Sequence, residues 1–360
     1  MTQFVDWDLA AATARTMGRT GPAISLAEAT EVVHQLRERA VDASDHVAEY
    51  TGLRPTQAPP IRVVDRGDWA QANVLGLKDV LGPLAEKMSG EPGRLTKMVG
   101  SRVAGTQAGV VLGYLSSKVL GQYEVFGREK GQLLIVAPNV VEAERELDVS
   151  TDDFRMWVCI HEATHAAQFG AVSWLRDHFM SEVAAFGDAS HRDPKEPGPN
   201  VAETVASAAY RLVEQLRKTA SVLADSTRDT DSDTSIIDLV TSDKQREVMD
   251  RLTAFMTLLE GHADYVMDGV GPQVVPTVEV IRERFDRRRH AGGILQRLVR
   301  RLLGMDVKLK QYVQGKEFTK TVIEARGMDG FNRVWEGPQN LPTLEEINEP
   351  QRWIARVAPA

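Results

Sequence analysis

Residues 157–169 read Trp157-Val158-Cys159-Ile160-His161-Glu162-Ala163-Thr164-His165-Ala166-Ala167-Gln168-Phe169. The stretch contains H-E-x-x-H, with neighbours that are uncharged and mostly small or apolar. On an α-helix, residues four apart lie one turn apart on the same face. His161 and His165 can therefore offer two imidazole nitrogens to one zinc ion. Glu162 stands beside the first ligand, where it can take a proton from a zinc-activated water. A glutamate on a buried apolar helix is costly without a partner, which argues against chance.

Two imidazoles do not complete a catalytic zinc site; three protein ligands plus water is the usual count. A nearby third histidine in the pattern H-E-x-x-H-x-x-G-x-x-H is absent, because position 168 is Gln168 and position 171 is Ala171. The third ligand must come from far downstream. The best candidate lies in Leu259-Glu260-Gly261-His262-Ala263-Asp264-Tyr265, on a segment with helical spacing over 243–268. Glu260 is the preferred ligand. Asp264, four residues on, is expected to accept a hydrogen bond from a ligand histidine and so fix its tautomer. His262 is the rival ligand, but it points about 200° away from Glu260 around a regular helix.

Several segments carry a family resemblance. H-E-A-T-H followed far downstream by E-G-H-A-D-Y resembles the gluzincin arrangement, in which a glutamate on a second helix is the third ligand. Val136-Ala137-Pro138-Asn139, Lys310-Gln311-Tyr312 with Gly315, and Glu349-Pro350-Gln351-Arg352-Trp353-Ile354 extend the likeness. Together they resemble an actinobacterial zincin-like family often labelled coenzyme F420 biosynthesis-associated hydrolases or zinc-dependent metalloproteases. The likeness runs from about residue 55 onward and implies a zincin core and hydrolase chemistry, with no particular substrate. No segment looks like an F420 site.

The rest of the chain sets the frame. Its 360 residues are 42% hydrophobic and 26% charged, ordinary for a soluble globular protein. A net charge of −8 argues against nucleic acid as the main partner. The single cysteine, Cys159, excludes an internal disulfide and reads as core packing. No signal-peptide pattern opens the sequence and no apolar run reaches membrane-spanning length, so a cytoplasmic protein without a membrane span is expected. The oligomeric state is not legible.

Helices are predicted over 7–17 and 26–50, with Ser25 as N-cap and Gly52 ending the second. Further helices are predicted over 69–87, 101–121 (buried, with glycines for close packing), 150–184, 200–224 and 243–268. The motif helix is taken as 152–184. Residues 56–67 read as a linker around a short extended segment, and 131–137 as a strand, either in the core or at an edge where a peptide could pair. Residues 186–200 and 225–235 read as polar loops. The acidic run 229–233 lacks the distal glutamate of a calcium loop. The tail from 328 reads as irregular. The division expected is an N-terminal helical segment, 1–55, and a zincin-like catalytic domain, 56–360.

The expected fold is mainly α with a small β-sheet. The expected function is zinc-dependent hydrolysis of an amide, in a peptide or a small molecule. A zinc-stabilised binding or scaffold protein without turnover is the alternative. For the oxyanion, Tyr312 and His290 are the candidates, with Tyr265 and the cluster Arg287-Arg288-Arg289 behind them. Each of these is at least as readable as an ordinary surface residue.

Overall fold

The computed structural model describes residues 5–18, 20–88, 94–127, 131–189, 243–290 and 305–359. The fold is mostly helical around one small sheet. The predicted helix over 200–224 and the loop over 225–235, with its acidic run, lie outside the described residues.

Helix α1 (Trp7–Met17) is capped by Asp6, and α2 (Leu26–Thr51) by Ser25, whose hydroxyl accepts from the Glu28 N–H at 3.1 Å. Gly52 ends α2 with φ 73°, a left-handed conformation that glycine adopts without steric cost. Strand β1 (Ile61–Val64) follows, then α3 (Arg66–Met88) and α4 (Arg94–Leu115). The α4 glycines fit their expected role. A Cβ on Gly105 would meet the Asp6 carbonyl oxygen at 2.3 Å, and one on Gly109 that of Ala10 at 2.5 Å. Helix α4 stops at Leu115, short of the predicted 121, and is not wholly buried: Val103 is 47% exposed.

Strands β2 (Gly121–Glu124) and β3 (Gln132–Val136) complete a sheet of order β1-β3-β2. β3 pairs in parallel with β1 and antiparallel with β2, and all five of its residues are buried. The predicted strand is thus the centre of the sheet, and the edge reading is excluded. The edges belong to β1 and to β2, a strand the sequence did not announce.

Helix α5 (Ala137–Leu147) leads to the motif helix, α6 (Thr151–Ala171). Ser150 caps α6. Residues 154–160 of α6 are all buried, so it is wrapped on nearly every side. α2 lies along it, and Ala40 and Ala43 of α2 join the same core as Phe154 and Ile160. At its start Arg155 forks onto Glu144 of α5 at 2.6 and 3.0 Å, a bidentate pair that satisfies both buried charges.

The motif helix is shorter than predicted. Val172 turns extended, and α7 (Leu175–Ala189) starts afresh. The break carries neither Gly nor Pro; the Trp174 indole N–H donates to the Trp335 carbonyl at 2.9 Å and fixes the turn.

Helix α8 (Asp243–Gly269) packs against α6, α7 and α10 (Met305–Asn332), with α9 (Val278–His290) between α8 and α10 in the chain. α8 and α10 cross on a pair of glycines. A Cβ on Gly261 would lie 2.1 Å from the Gly315 carbonyl carbon, and one on Gly315 2.1 Å from the Thr257 oxygen. α10 kinks at Gly327, φ 69°.

The tail is ordered rather than irregular. Two short 3-10 turns, Arg333–Trp335 and Pro338–Asn340, precede α11 (Leu344–Asn348) and α12 (Pro350–Val357). Thr343 and Glu346 form a capping box, and Pro350 opens α12 where a missing N–H costs nothing. Trp353 is fully buried against Phe318. Among the described residues no helix is long and apolar enough to cross a membrane.

Candidate metal centre

Contacts between α6 and α8 run in opposite order along the two helices: His161 meets Met267, and Gln168 meets Leu259. The helices are therefore antiparallel. Three of the predicted residues come together where they face one another. His161 Nε2 lies 3.5 Å and His165 Nε2 3.6 Å from the same Glu260 oxygen, Oε2. One ligand atom from each residue falls within 4.8 Å of the other two. Tetrahedral zinc with bonds near 2.0–2.2 Å holds its ligands roughly 3.3 Å apart, so this donor set fits such an ion. The three side chains are 14–23% exposed, which leaves solvent access to the cluster.

The back of each imidazole is held. His161 Nδ1 lies 3.1 Å from the Met267 sulfur. A thioether only accepts, so Nδ1 carries a hydrogen, and Nε2 is the nitrogen turned toward Glu260. His165 Nδ1 lies 2.9 Å from Gln168 Oε1. Burial disfavours the charged His165 ring. The nearby Glu260 carboxylate more than offsets this, and the ring is pushed up to about 9. Burial likewise opposes the Glu260 charge, but the two histidines hold it well below the usual carboxylate range.

Glu162 is 6% exposed and sits against the edge of β2. In the antiparallel pairing, Leu120 bonds Val136, so Gly121 and Tyr123 turn their amide groups away from β3. The Tyr123 N–H donates to the Glu162 carboxylate. Burial raises the Glu162 carboxyl above its ordinary value, and the two histidines partly counter this. A carboxyl so placed is suited to take up and release a proton.

Gly121 makes this placement possible. A Cβ there would lie 2.5 Å from Glu162 Cγ and 2.9 Å from Cδ. The side chain is buried and held by a backbone N–H, so it cannot simply swing aside. Gly121→Ala is expected to lower any hydrolytic rate by about 100-fold, the cost of a displacement near 1 Å. Circular dichroism and zinc content should stay near wild type. Comparing turnover with metal content in this variant checks the expectation.

Other predicted residues fall elsewhere. Asp264 does not reach a ligand histidine. It takes the Arg282 guanidinium at 3.2 Å, and Arg282 also bonds Asp268 at 2.7 Å. A cation held by two carboxylates is a stronger partner for Asp264 than a neutral ring, so Met267 and Gln168 occupy the places expected for it. His262 lies away from the cluster, fully buried, stacked on Phe331 with Trp335 beside it. Burial and the neighbouring His165 lower it to about 3, so it is neutral. Cys159 is buried, with its sulfur toward the Leu36 carbonyl. Tyr265 packs on Tyr50. The side chains of Tyr312 and His290 lie outside the described residues, although both positions fall on helices, α10 and α9.

The sequence reading missed Gly121, Tyr123, Met267 and Gln168. Only Gln168, three residues after His165 and on the same helix face, left a signal that could have been followed.

A family model described as zincin-like metallopeptidase matches residues 5–354. The chain belongs to this zincin-like family. A crystal structure from Chloroflexus aurantiacus, described as a candidate hydrolase with a novel fold, is similar at 28% identity and TM-score 0.68, covering 98% of each chain. No curated protein matches the chain. At family level, zincin-like membership implies a metal, usually zinc, and hydrolase chemistry.

Proposed function

We propose that the protein is a zinc-dependent amide hydrolase, with peptides as the leading substrate class. His161, His165 and Glu260 would hold the ion, and Glu162 would act as general base. The observation that carries this reading is the convergence of two imidazole nitrogens on one carboxylate oxygen, at 3.5 and 3.6 Å, beside a buried glutamate.

A bound zinc ion supplies a Lewis acid that polarises the scissile carbonyl and brings water to a usable pKa. The chain's own groups do the rest. Glu162, fixed by the Tyr123 N–H, takes a proton from the attacking water and delivers it to the leaving nitrogen. His161 and His165 keep their hydrogens on Nδ1, so both Nε2 lone pairs face the centre. Glu260 offsets part of the ion's charge. Gly121 and Tyr123 line the edge of β2 beside Glu162, where an extended substrate could lie.

The protein is expected to purify with about one zinc per chain. A chelator should remove both the metal and the cleavage of a peptide library, and added zinc should restore cleavage. Zinc retained without cleavage of any peptide or small amide would favour the scaffold alternative. No zinc uptake would overturn the reading.

A further inference from the structure

The fully buried side chain of Gln168 joins the two site helices. Its Nε2 is 3.0 Å from the Leu259 carbonyl oxygen and 3.0 Å from His262 Nδ1, while Oε1 is 2.9 Å from His165 Nδ1. A backbone carbonyl can only accept, so the amide nitrogen must face Leu259. Turning the amide over would set two carbonyl oxygens against each other in the core. The orientation is therefore determined without seeing a hydrogen.

Two consequences follow in order. With Oε1 facing it, His165 Nδ1 must carry its hydrogen. With both amide hydrogens donated, one to Leu259 and one toward His262, His262 Nδ1 must be the bare nitrogen. Its hydrogen then sits on Nε2, which is buried and has no hydrogen-bond partner among the described residues. A leucine at this position, between Phe331 and Trp335, would avoid that orphan. The orphan makes sense only if Nδ1 is what the position requires.

We propose that the Leu259 carbonyl, Gln168 and His262 form a relay that keeps a hydrogen of His165 on Nδ1, so that Nε2 is the nitrogen left to take an ion. Gln168 and His262 are positioning residues, and Leu259 directly precedes the third ligand, so the helix that brings Glu260 also sets the ring state of His165. The purpose assigned to the relay rests on the metal reading above; the hydrogen-bond pattern does not.

The test uses the full chain, labelled with 15N in its histidines. In the metal-free wild type, His262 should show a bare Nδ1 and a protonated Nε2. In Gln168→Glu, which keeps an acceptor for His165 but has no amide hydrogens, His262 should invert to the Nδ1–H form. Zinc affinity, measured by chelator competition, should fall about 10–100-fold in Gln168→Leu. It should recover only in part in Gln168→Glu, which restores the acceptor for His165 but sets an oxygen against the Leu259 carbonyl. A protonated Nδ1 on His262 in the wild type would overturn the relay. So would a folded Gln168→Leu variant that binds zinc as tightly as the wild type. If the wild type bound no zinc, the metal reading would fail, and the relay would still stand or fall on the His262 spectrum. If a variant does not fold, the wild-type spectrum still decides.

Discussion

Glu162→Gln is expected to leave zinc content and fold intact while lowering hydrolysis by about 10²–10⁴-fold, the range that a general base contributes. Glutamine has the same length and nearly the same volume. It fits the slot that Gly121 leaves open, and its carbonyl oxygen can accept the Tyr123 N–H as the carboxylate does. What it cannot do is take a proton from water and return it. The substitution removes only that capacity, so the loss should appear in kcat rather than in KM. Metal analysis beside single-substrate kinetics checks the pair of outcomes. Unchanged turnover with full zinc would remove Glu162 from the role of base.

Glu260→Ala is expected to empty the site. Two neutral imidazoles on one turn of α6 remain, but the anionic donor is gone. Among the described residues no other group completes a cluster with the two rings, and Asp264, the next carboxylate along the helix, is committed to Arg282. Groups that merely support a ligand cost 10–100-fold in metal affinity when removed. Loss of a ligand itself should cost more, and zinc should be lost on dialysis. Isothermal titration of the metal-free variant measures this directly. Wild-type affinity in Glu260→Ala would mean that another side chain completes the site, and the ligand set would need to be redrawn.

The parts of the site that were legible in the sequence are those whose chemistry lies in side-chain type and helical spacing. His161, Glu162 and His165 are legible because one turn of helix makes their geometry local. Glu260 is legible through Asp264, four residues on, and through the likeness of E-G-H-A-D-Y to the gluzincin third-ligand helix, although the first of these reasons does not hold in the structure. Features that depend on backbone groups left no mark. Tyr123 serves Glu162 through its N–H, which almost any residue would supply. β2 reads Gly-Gln-Tyr-Glu, with no apolar alternation to reveal a strand. Gln168 stands where the H-E-x-x-H-x-x-G-x-x-H pattern has its glycine, and nothing in its type announces a partner for His165. Asp264 was assigned from its position four residues after Glu260, but Arg282, from the next helix, holds it. The tail was misread for a related reason. Its prolines looked like interruptions, whereas Pro350 starts a helix and a capping box starts the one before it.

The crossing of α8 and α10 has a mechanical consequence. Most helix contacts are cushioned by side chains that can change rotamer and absorb a small shift. At Gly261 and Gly315 the two backbones touch directly, one residue from Glu260. Such a joint has no slack: a displacement of α10 is handed on undiminished to the carboxylate, and the carboxylate cannot drift alone. The crossing works as a rigid fulcrum, so the accuracy of the Glu260 position is inherited from the packing of the C-terminal third of the chain.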